Sequence, residues 1–245
     1  MRRPVLLVVA HGSRDPRHAA TVHELVRRVR ALRPGLRVET GFLDFNVPSV
    51  NGVLESLDAE DVRDVVALPL LLTRAFHAKA DIPAVLAEAP PRLRIRQAEV
   101  LGPSPLLLAA LERRLYEAGL TPADKSSTGV VLASAGSSDP EAIAVIADVA
   151  REWRHTGWCA VRPAFASASL PRTEDAVREL RELGCARVAV APYVLAPGRL
   201  PDRIARGAAG ADVLADVLGP APEVAQVLVE RYDAARTPVL TALGA

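Results

Sequence analysis

Cysteine is scarce: the 245-residue chain has two, Cys159 and Cys185. They show no C-x-x-C spacing, and two separated thiols do not make a disulfide scaffold. A reduced, cytoplasmic protein is the simplest account. Aromatic residues are 4% of the chain, so the core must be built from Val, Leu, Ala and Ile. Excess charge of one sign is also missing. Lys plus Arg is 30 and Asp plus Glu is 29, a net +1 that argues against a nucleic-acid binder. Of the basic residues only Lys79 and Lys125 are lysines. No apolar run approaches the roughly 18 residues of a membrane span. The opening Met1-Arg2-Arg3 and Val5–Ala10 are too short for a signal peptide and run into His11-Gly12-Ser13 rather than a small-residue cleavage site, so they read as a first strand. There is no G-x-S-x-G, no G-x-G-x-x-G after the first strand and no Walker A sequence. A nucleophile elbow, a dinucleotide site and a nucleotide site are therefore unsupported.

What is present is a globular composition, 50% apolar and 24% charged, enough for one large domain or two small ones. The chain repeats itself. AHGSRDP at 10–16 answers AGSSDP at 135–140, with Gly12 on Gly136, Ser13 on Ser137, Asp15 on Asp139 and Pro16 on Pro140. A second constant offset then carries Val38 onto Val161, Phe42 onto Phe165, Pro48 onto Pro171, Pro69 onto Pro192 and Leu72 onto Leu195. LGPSP at 101–105 answers LGPAP at 218–222. An offset that holds over so many positions is not chance.

Each copy alternates strand and helix. Val5–Ala10 is an apolar strand. Ala19–Leu32 is helical, with Val22, Leu25, Val26 and Val29 on one face. Leu36–Leu43 is a strand, and a helix begins at Pro48 and runs to Leu57. Val62–Leu72 reads as a strand buried on both faces. Ala78–Ala89 is helical, Leu93–Ala98 is a strand and Pro105–Ala118 a helix. The order predicts an α/β fold of two similar Rossmann-like halves, each a four-stranded, mainly parallel sheet covered by helices on both faces. Residues 1–120 form the first domain, 121–128 the linker and 129–245 the second.

In such sheets ligands bind at the carboxyl ends of the strands. There the first strand delivers His11, the second Asp44, and the loop after the third His77. Two imidazoles and a carboxylate suit a borderline divalent metal and can equally accept protons near neutral pH. His18, His23 and His155 read as solvated surface residues. Gly12-Ser13-Arg14-Asp15-Pro16 is a turn into a helix start, with Asp15 as cap and Pro16 as first helical residue. Its backbone N–H groups, including those of Gly12 and Ser13, could hold an anion, with Arg14, Arg74 and Lys79 beside it.

AHGSRDP after the first strand, GFLDF at the second, and PLLL followed by His77 and Asp81-Ile82-Pro83 resemble the class II tetrapyrrole chelatases of the CbiX/SirB type. The resemblance covers nearly the whole chain, in the long two-copy form of that family. It implies insertion of Fe2+ or Co2+ into sirohydrochlorin without ATP, toward siroheme or cobalamin. It implies His11 and His77 as catalytic, metal-binding histidines, with Asp44 standing where many members have Glu. Beyond the metal substrate no cofactor is expected, nor an iron–sulfur cluster, since no Cys-rich or His-rich tail is present. The tetrapyrrole's carboxylates suit arginine, which binds them bidentately. The expected partners are sirohydrochlorin and a divalent metal, with no nucleic acid and no membrane. A monomer is expected, the two halves replacing a homodimer. Two other readings stay open on the residues alone: a tetrapyrrole or metal carrier without turnover, and a hydrolase or isomerase using His11 and Asp44 as acid and base.

The copies are unequal. His11 aligns with Ala135, Asp44 with Ser167 and, if the register extends that far, His77 with Leu200. Gly136, Asp139, Pro140, Phe165 and Pro192 keep the scaffold. One site per chain follows, in residues 1–118, with Arg199 and the 136–138 loop of the second copy meeting substrate carboxylates.

Overall fold

The computed structural model describes residues 3–74 and 77–236, the side chain of His77 excepted. It contains two four-stranded sheets, ordered β2-β1-β3-β4 and β6-β5-β7-β8, and every pairing is parallel. In the first half β1 is Val5–Ala10, β2 Val38–Phe42, β3 Asp64–Pro69 and β4 Arg94–Gln97. Helices α1 (Pro16–Leu32), α2 (Val50–Ala59), α3 (Ile82–Ala87) and α4 (Pro105–Glu117) connect them. A 3-10 turn, Pro122–Ser127, leads into the second half. There β5 is Thr128–Ser134, β6 Ala160–Phe165, β7 Arg187–Tyr193 and β8 Val213–Leu214. Its helices are α5 (Pro140–Arg154), α6 (Thr173–Glu182), α7 (Arg199–Gly207) and α8 (Pro222–Arg236). Among the described residues no helix is long and apolar enough to cross a membrane.

The strand registers repeat. Leu6 faces Val38 and Val5 faces Val65; at the aligned positions Val130 faces Val161 and Gly129 faces Val188. Alternation then sorts the side chains into layers. Leu6, Val8 and Ala10 point inward with Val130 and Leu132 into one core shared by both halves. Val5, Leu7 and Val9 point outward under α2, and Val131 and Ala133 do the same in the second half with α6.

Helix starts follow local chemistry. The Asp15 carboxylate accepts from the Arg17 N–H at 2.9 Å with Pro16 at the first helical position. The second helix does not begin at Pro48: Ser49 Oγ accepts from Gly52 N–H at 3.1 Å, so helical residues start at Val50. The helix expected over 78–89 is split into a π turn, His77–Asp81, and α3. Pro83 has no N–H to donate back along the helix, which disfavours a regular ladder through this segment. The third strand ends at Pro69, not Leu72.

The halves exchange helices. Helix α4 lies against β7 of the second sheet, while α8 lies against α1, β3 and β4 of the first. Tyr232 Oη donates to Pro4 O at 2.7 Å, and the Arg231 guanidinium donates to Val100 O at 2.8 Å and Leu101 O at 3.0 Å. In return Arg114 of α4 donates to Leu218 O at 3.0 Å, and Arg113 pairs with Glu223 at 2.9 Å.

The two cysteines are not apart in space. Cys159 and Cys185 precede β6 and β7, and their sulfurs lie 3.7 Å from each other. Burial and the Cys159 neighbour push the Cys185 thiol up.

Candidate functional site

The carboxyl ends of both sheets face one cleft of about 320 Å3, within the size range of small-molecule sites. From the first half His11, His18 and the segment Leu70–Thr73 line it. From the second half come Ser134–Ser137, Ala142, Ile143, Ile146, Tyr193–Ala196, Leu200 and Pro201.

His11 leaves the end of β1 into a turn that only glycine can make. Gly12 has φ +94°, and a Cβ there would stand 1.9 Å from the Asp44 carbonyl oxygen. Asp44 N–H donates to His11 O at 2.9 Å, and Ser13 N–H donates to Asn46 Oδ1 at 2.8 Å. These bonds weld the β1–α1 and β2–α2 loops. Phe45 sits edge-on to His11 with ring centroids 6.4 Å apart, and the Arg14 guanidinium lies 5.2 Å from the Phe45 ring centre. Phe45 and Val47 are 51% and 84% exposed, and Leu170 on the equivalent loop of the second half is 71% exposed. Apolar loop tips thus stand on both halves.

The structure rearranges several expectations. The Asp44 backbone adjoins His11, but its carboxylate is exposed, accepts from Phe45 N–H at 2.9 Å and does not line the cleft. Three N–H donors of the turn are used internally: Ser13 N–H by Asn46, Asp15 N–H by Ser13 Oγ at 3.1 Å, and Arg17 N–H by Asp15. Arg14, Arg74 and Arg199 are exposed, and none lines the main cleft. Arg74 and Lys79 instead border a separate pocket with Gln97 and Glu99. After Arg199 come Leu200 and Pro201, which do line the cleft. The backbone of His77 opens the π turn, while its side chain lies outside the described residues, as do Ala75 and Phe76. Among the described residues no three His, Cys, Asp or Glu side chains converge on a metal-sized site.

Lys79 is a clasp. Its Nζ lies 2.8 Å from Asp139 and 2.6 Å from Glu141, at the start of α5 in the other half. Those carboxylates hold the Lys79 ammonium pKa up, and Lys79 holds Asp139 well below the usual carboxylate range. A second bridge joins Arg17 to Asp202 at 3.5 Å. Arg17 aligns with Glu141, and at the offset of β3 and β7 Lys79 aligns with Asp202. The two bridges are the same contact with its charges reversed.

Two cleft residues escaped the sequence reading. Tyr193 is buried, and burial pushes its hydroxyl well above the ordinary range. Its oxygen stands 2.5 Å from where a Gly102 Cβ would be, which explains that glycine. His18 is half-buried in the first turn of α1; burial, then proximity to His11, lower its pKa below the usual imidazole value. Its signal was available: position 18 lies on the stripe of Val22, Leu25, Val26 and Val29.

The CbiX family model matches residues 5–118 and again 129–235. The chain belongs to the CbiX family. The sirohydrochlorin cobaltochelatase of Priestia megaterium is 31% identical over 207 residues, which span 81% of this chain but only 66% of that protein. The sirohydrochlorin ferrochelatase of Bacillus subtilis (strain 168) is 27% identical, over 83% of this chain and 78% of its own. The sirohydrochlorin cobaltochelatase of Sulfurisphaera tokodaii matches 46% of this chain with 91% of its length, so one half of this CbiX chain corresponds to nearly a whole protein. The fold of SirB from Bacillus subtilis, solved with Fe3+, superposes with a TM-score of 0.82 at 24% identity, covering 96% of both chains.

Proposed function

We propose that this protein inserts a divalent metal, Fe2+ or Co2+, into sirohydrochlorin. The observation that carries the reading is the cleft: imidazoles enter it only from the first half, and aliphatic side chains from both halves flank them. A flat macrocycle needs apolar cover, and its metallation needs nitrogen donors. The metal ion is a substrate here. Its insertion releases two pyrrole protons, and neutral imidazole can hold a borderline metal or accept a proton. His11 and His77 fill those roles in this reading, and Asp44, beside the His11 backbone, is the carboxylate that takes protons outward to solvent.

Residues 1–120 carry the chemistry, 121–128 connect, and 129–245 supply the opposing wall. One chain holds both walls, so a monomer suffices, and no further cofactor is required. Fe2+ as substrate suits the reducing cytoplasm. Arg14, at the rim over Phe45, reaches substrate carboxylates from outside the cleft, as do Arg74 and Arg199; Lys79 joins them only when its clasp opens.

The test is a spectrophotometric metallation assay with sirohydrochlorin and Fe2+, Co2+ and Ni2+ in parallel. Acceleration over the protein-free rate with Fe2+ or Co2+ is the expected result. Tight binding of the tetrapyrrole without acceleration would make the protein a carrier.

A further inference from the structure

His18 is a polar side chain in an apolar cleft, and the metallation chemistry above leaves it unused. It lines the same cavity as His11. Its Nδ1 is enclosed and has no hydrogen-bond partner among the described residues, so the one polar atom left to meet the cavity is Nε2. The aligned positions in the second half are informative: His11 maps to Ala135 and His18 to Ala142, and both alanines line the cavity too. The two imidazoles of one wall therefore have two methyl groups as their counterparts on the other.

The enclosed Nδ1 decides what His18 can do. A proton on Nδ1 would be a buried donor with no acceptor among the described residues, which is costly. The favoured neutral tautomer leaves Nδ1 bare and carries the proton on Nε2. His18 then offers a hydrogen-bond donor to the cleft. The cationic side chains expected for substrate carboxylates, Arg14, Arg74, Lys79 and Arg199, do not line this cavity.

We propose that His18 is a substrate-binding residue that donates its Nε2 hydrogen to a carboxylate oxygen of the bound tetrapyrrole, positioning the ring over His11. The proposal rests on the sirohydrochlorin reading above. The two imidazoles then have different roles, His11 serving the metal and protons while His18 orients the macrocycle. A neutral donor to a charged acceptor is a strong hydrogen bond.

The experiment compares full-length wild type, His18→Phe, which keeps a ring but loses the donor, and His18→Gln, which keeps a donor. Three quantities are read: binding of metal-free sirohydrochlorin by absorbance, binding of Co2+ alone by calorimetry, and steady-state metallation. His18→Phe is expected to weaken sirohydrochlorin binding about tenfold or more, the scale of one charge-assisted hydrogen bond. Its KM for the tetrapyrrole rises in step, and Co2+ binding stays unchanged. His18→Gln recovers most of the loss, which a merely structural role would not produce. Unchanged sirohydrochlorin binding in His18→Phe overturns the proposal. So does a loss of Co2+ binding as large as the loss of ring binding, which would make His18 a metal ligand. If the wild type itself does not bind sirohydrochlorin, the functional reading falls and this proposal with it; if it binds and His18→Phe does too, only the proposal falls.

Discussion

The two halves of this protein have the same shape and different chemistry. Their strands pair in the same register, and their first loops turn on glycines in the same strained conformation, Gly12 at φ +94° and Gly136 at φ +90°. A Cβ on either would stand 1.9 Å from a carbonyl oxygen, that of Asp44 or of Ser167. At cavity positions the halves part: His11 and His18 face Ala135 and Ala142. The comparison teaches that backbone-determining residues and chemistry-bearing residues are separate sets. Packing and turn geometry hold the first set in place, and nothing structural holds the second.

The severest way to break the comparison is to separate the halves. Residues 1–120 alone should show no measurable metallation and should bind a hydrophobic dye, because α8 is missing from the face of β3 and β4. Residues 121–245 should be equally inactive. Activity in the isolated second half would refute the assignment of the site to the first.

Next in size are the imidazoles. His11→Ala or His77→Ala should lower metallation at least about a hundredfold, the usual effect of losing an acid–base group. Circular dichroism and thermal midpoint should stay near wild type. The mirror substitution Ala135→His should not raise the rate, since the surrounding loop carries Ser167 bonded to Ala135 O at 2.9 Å rather than an acidic neighbour. A His11→Ala variant at near wild-type rate removes His11 from the mechanism.

The glycines sharpen the comparison by stability. Gly12→Ala and Gly136→Ala should each destabilise folding by about 1–3 kcal/mol, the scale of a side chain forced into a sparsely populated conformation, and more if the carbonyl clash cannot relax. Chemical denaturation should give similar losses for both. Activity per folded molecule should fall mainly for Gly12→Ala, which moves His11.

The smallest effect concerns the reversed ion pairs. Lys79→Glu places like charges beside Asp139 and Glu141 and should lower the thermal midpoint slightly at low salt. The difference should vanish near 1 M salt, where the screening length is about 3 Å. The sign with pH is fixed by Asp139, whose carboxyl is held below its ordinary 3.8 chiefly by Lys79. That contribution is complete above the ordinary value and is lost as pH falls through the lowered one, so the wild-type and Lys79→Glu midpoints should converge only in acid. A difference that disappears between pH 6 and 8 would mean another group governs the contact.

Much of this was legible from residues. The constant offset between copies gave the repeat, the apolar runs gave buried parallel strands, and Asp15-Pro16 gave a helix start that the structure reproduces. Local signals also misled where a neighbour intervened. Pro48 reads as a helix start, but Ser49 supplies the cap one residue later. His18 reads as surface until the helix stripe is extended one turn back. Other features have no local signal at all. Lys79 meets Asp139 and Cys159 meets Cys185 only because distant strands and halves are folded together, and composition carries no trace of either contact. The Asp44 carboxylate stands at the right strand end yet turns to its own loop, a choice made by one hydrogen bond to Phe45 N–H.

The exchange of α4 and α8 bears on how the chain is made. The first sheet is synthesised early, but the helix that covers its β3–β4 side, Pro222–Arg236, comes more than a hundred residues later. At ribosomal speeds of about 5–20 residues per second, the nascent first half waits roughly 6–24 s for that cover. During that interval its apolar face is open to chaperones and to other nascent chains. An error near the end of translation therefore damages the beginning of the molecule, and a chain cut short before α8 loses the half that holds His11.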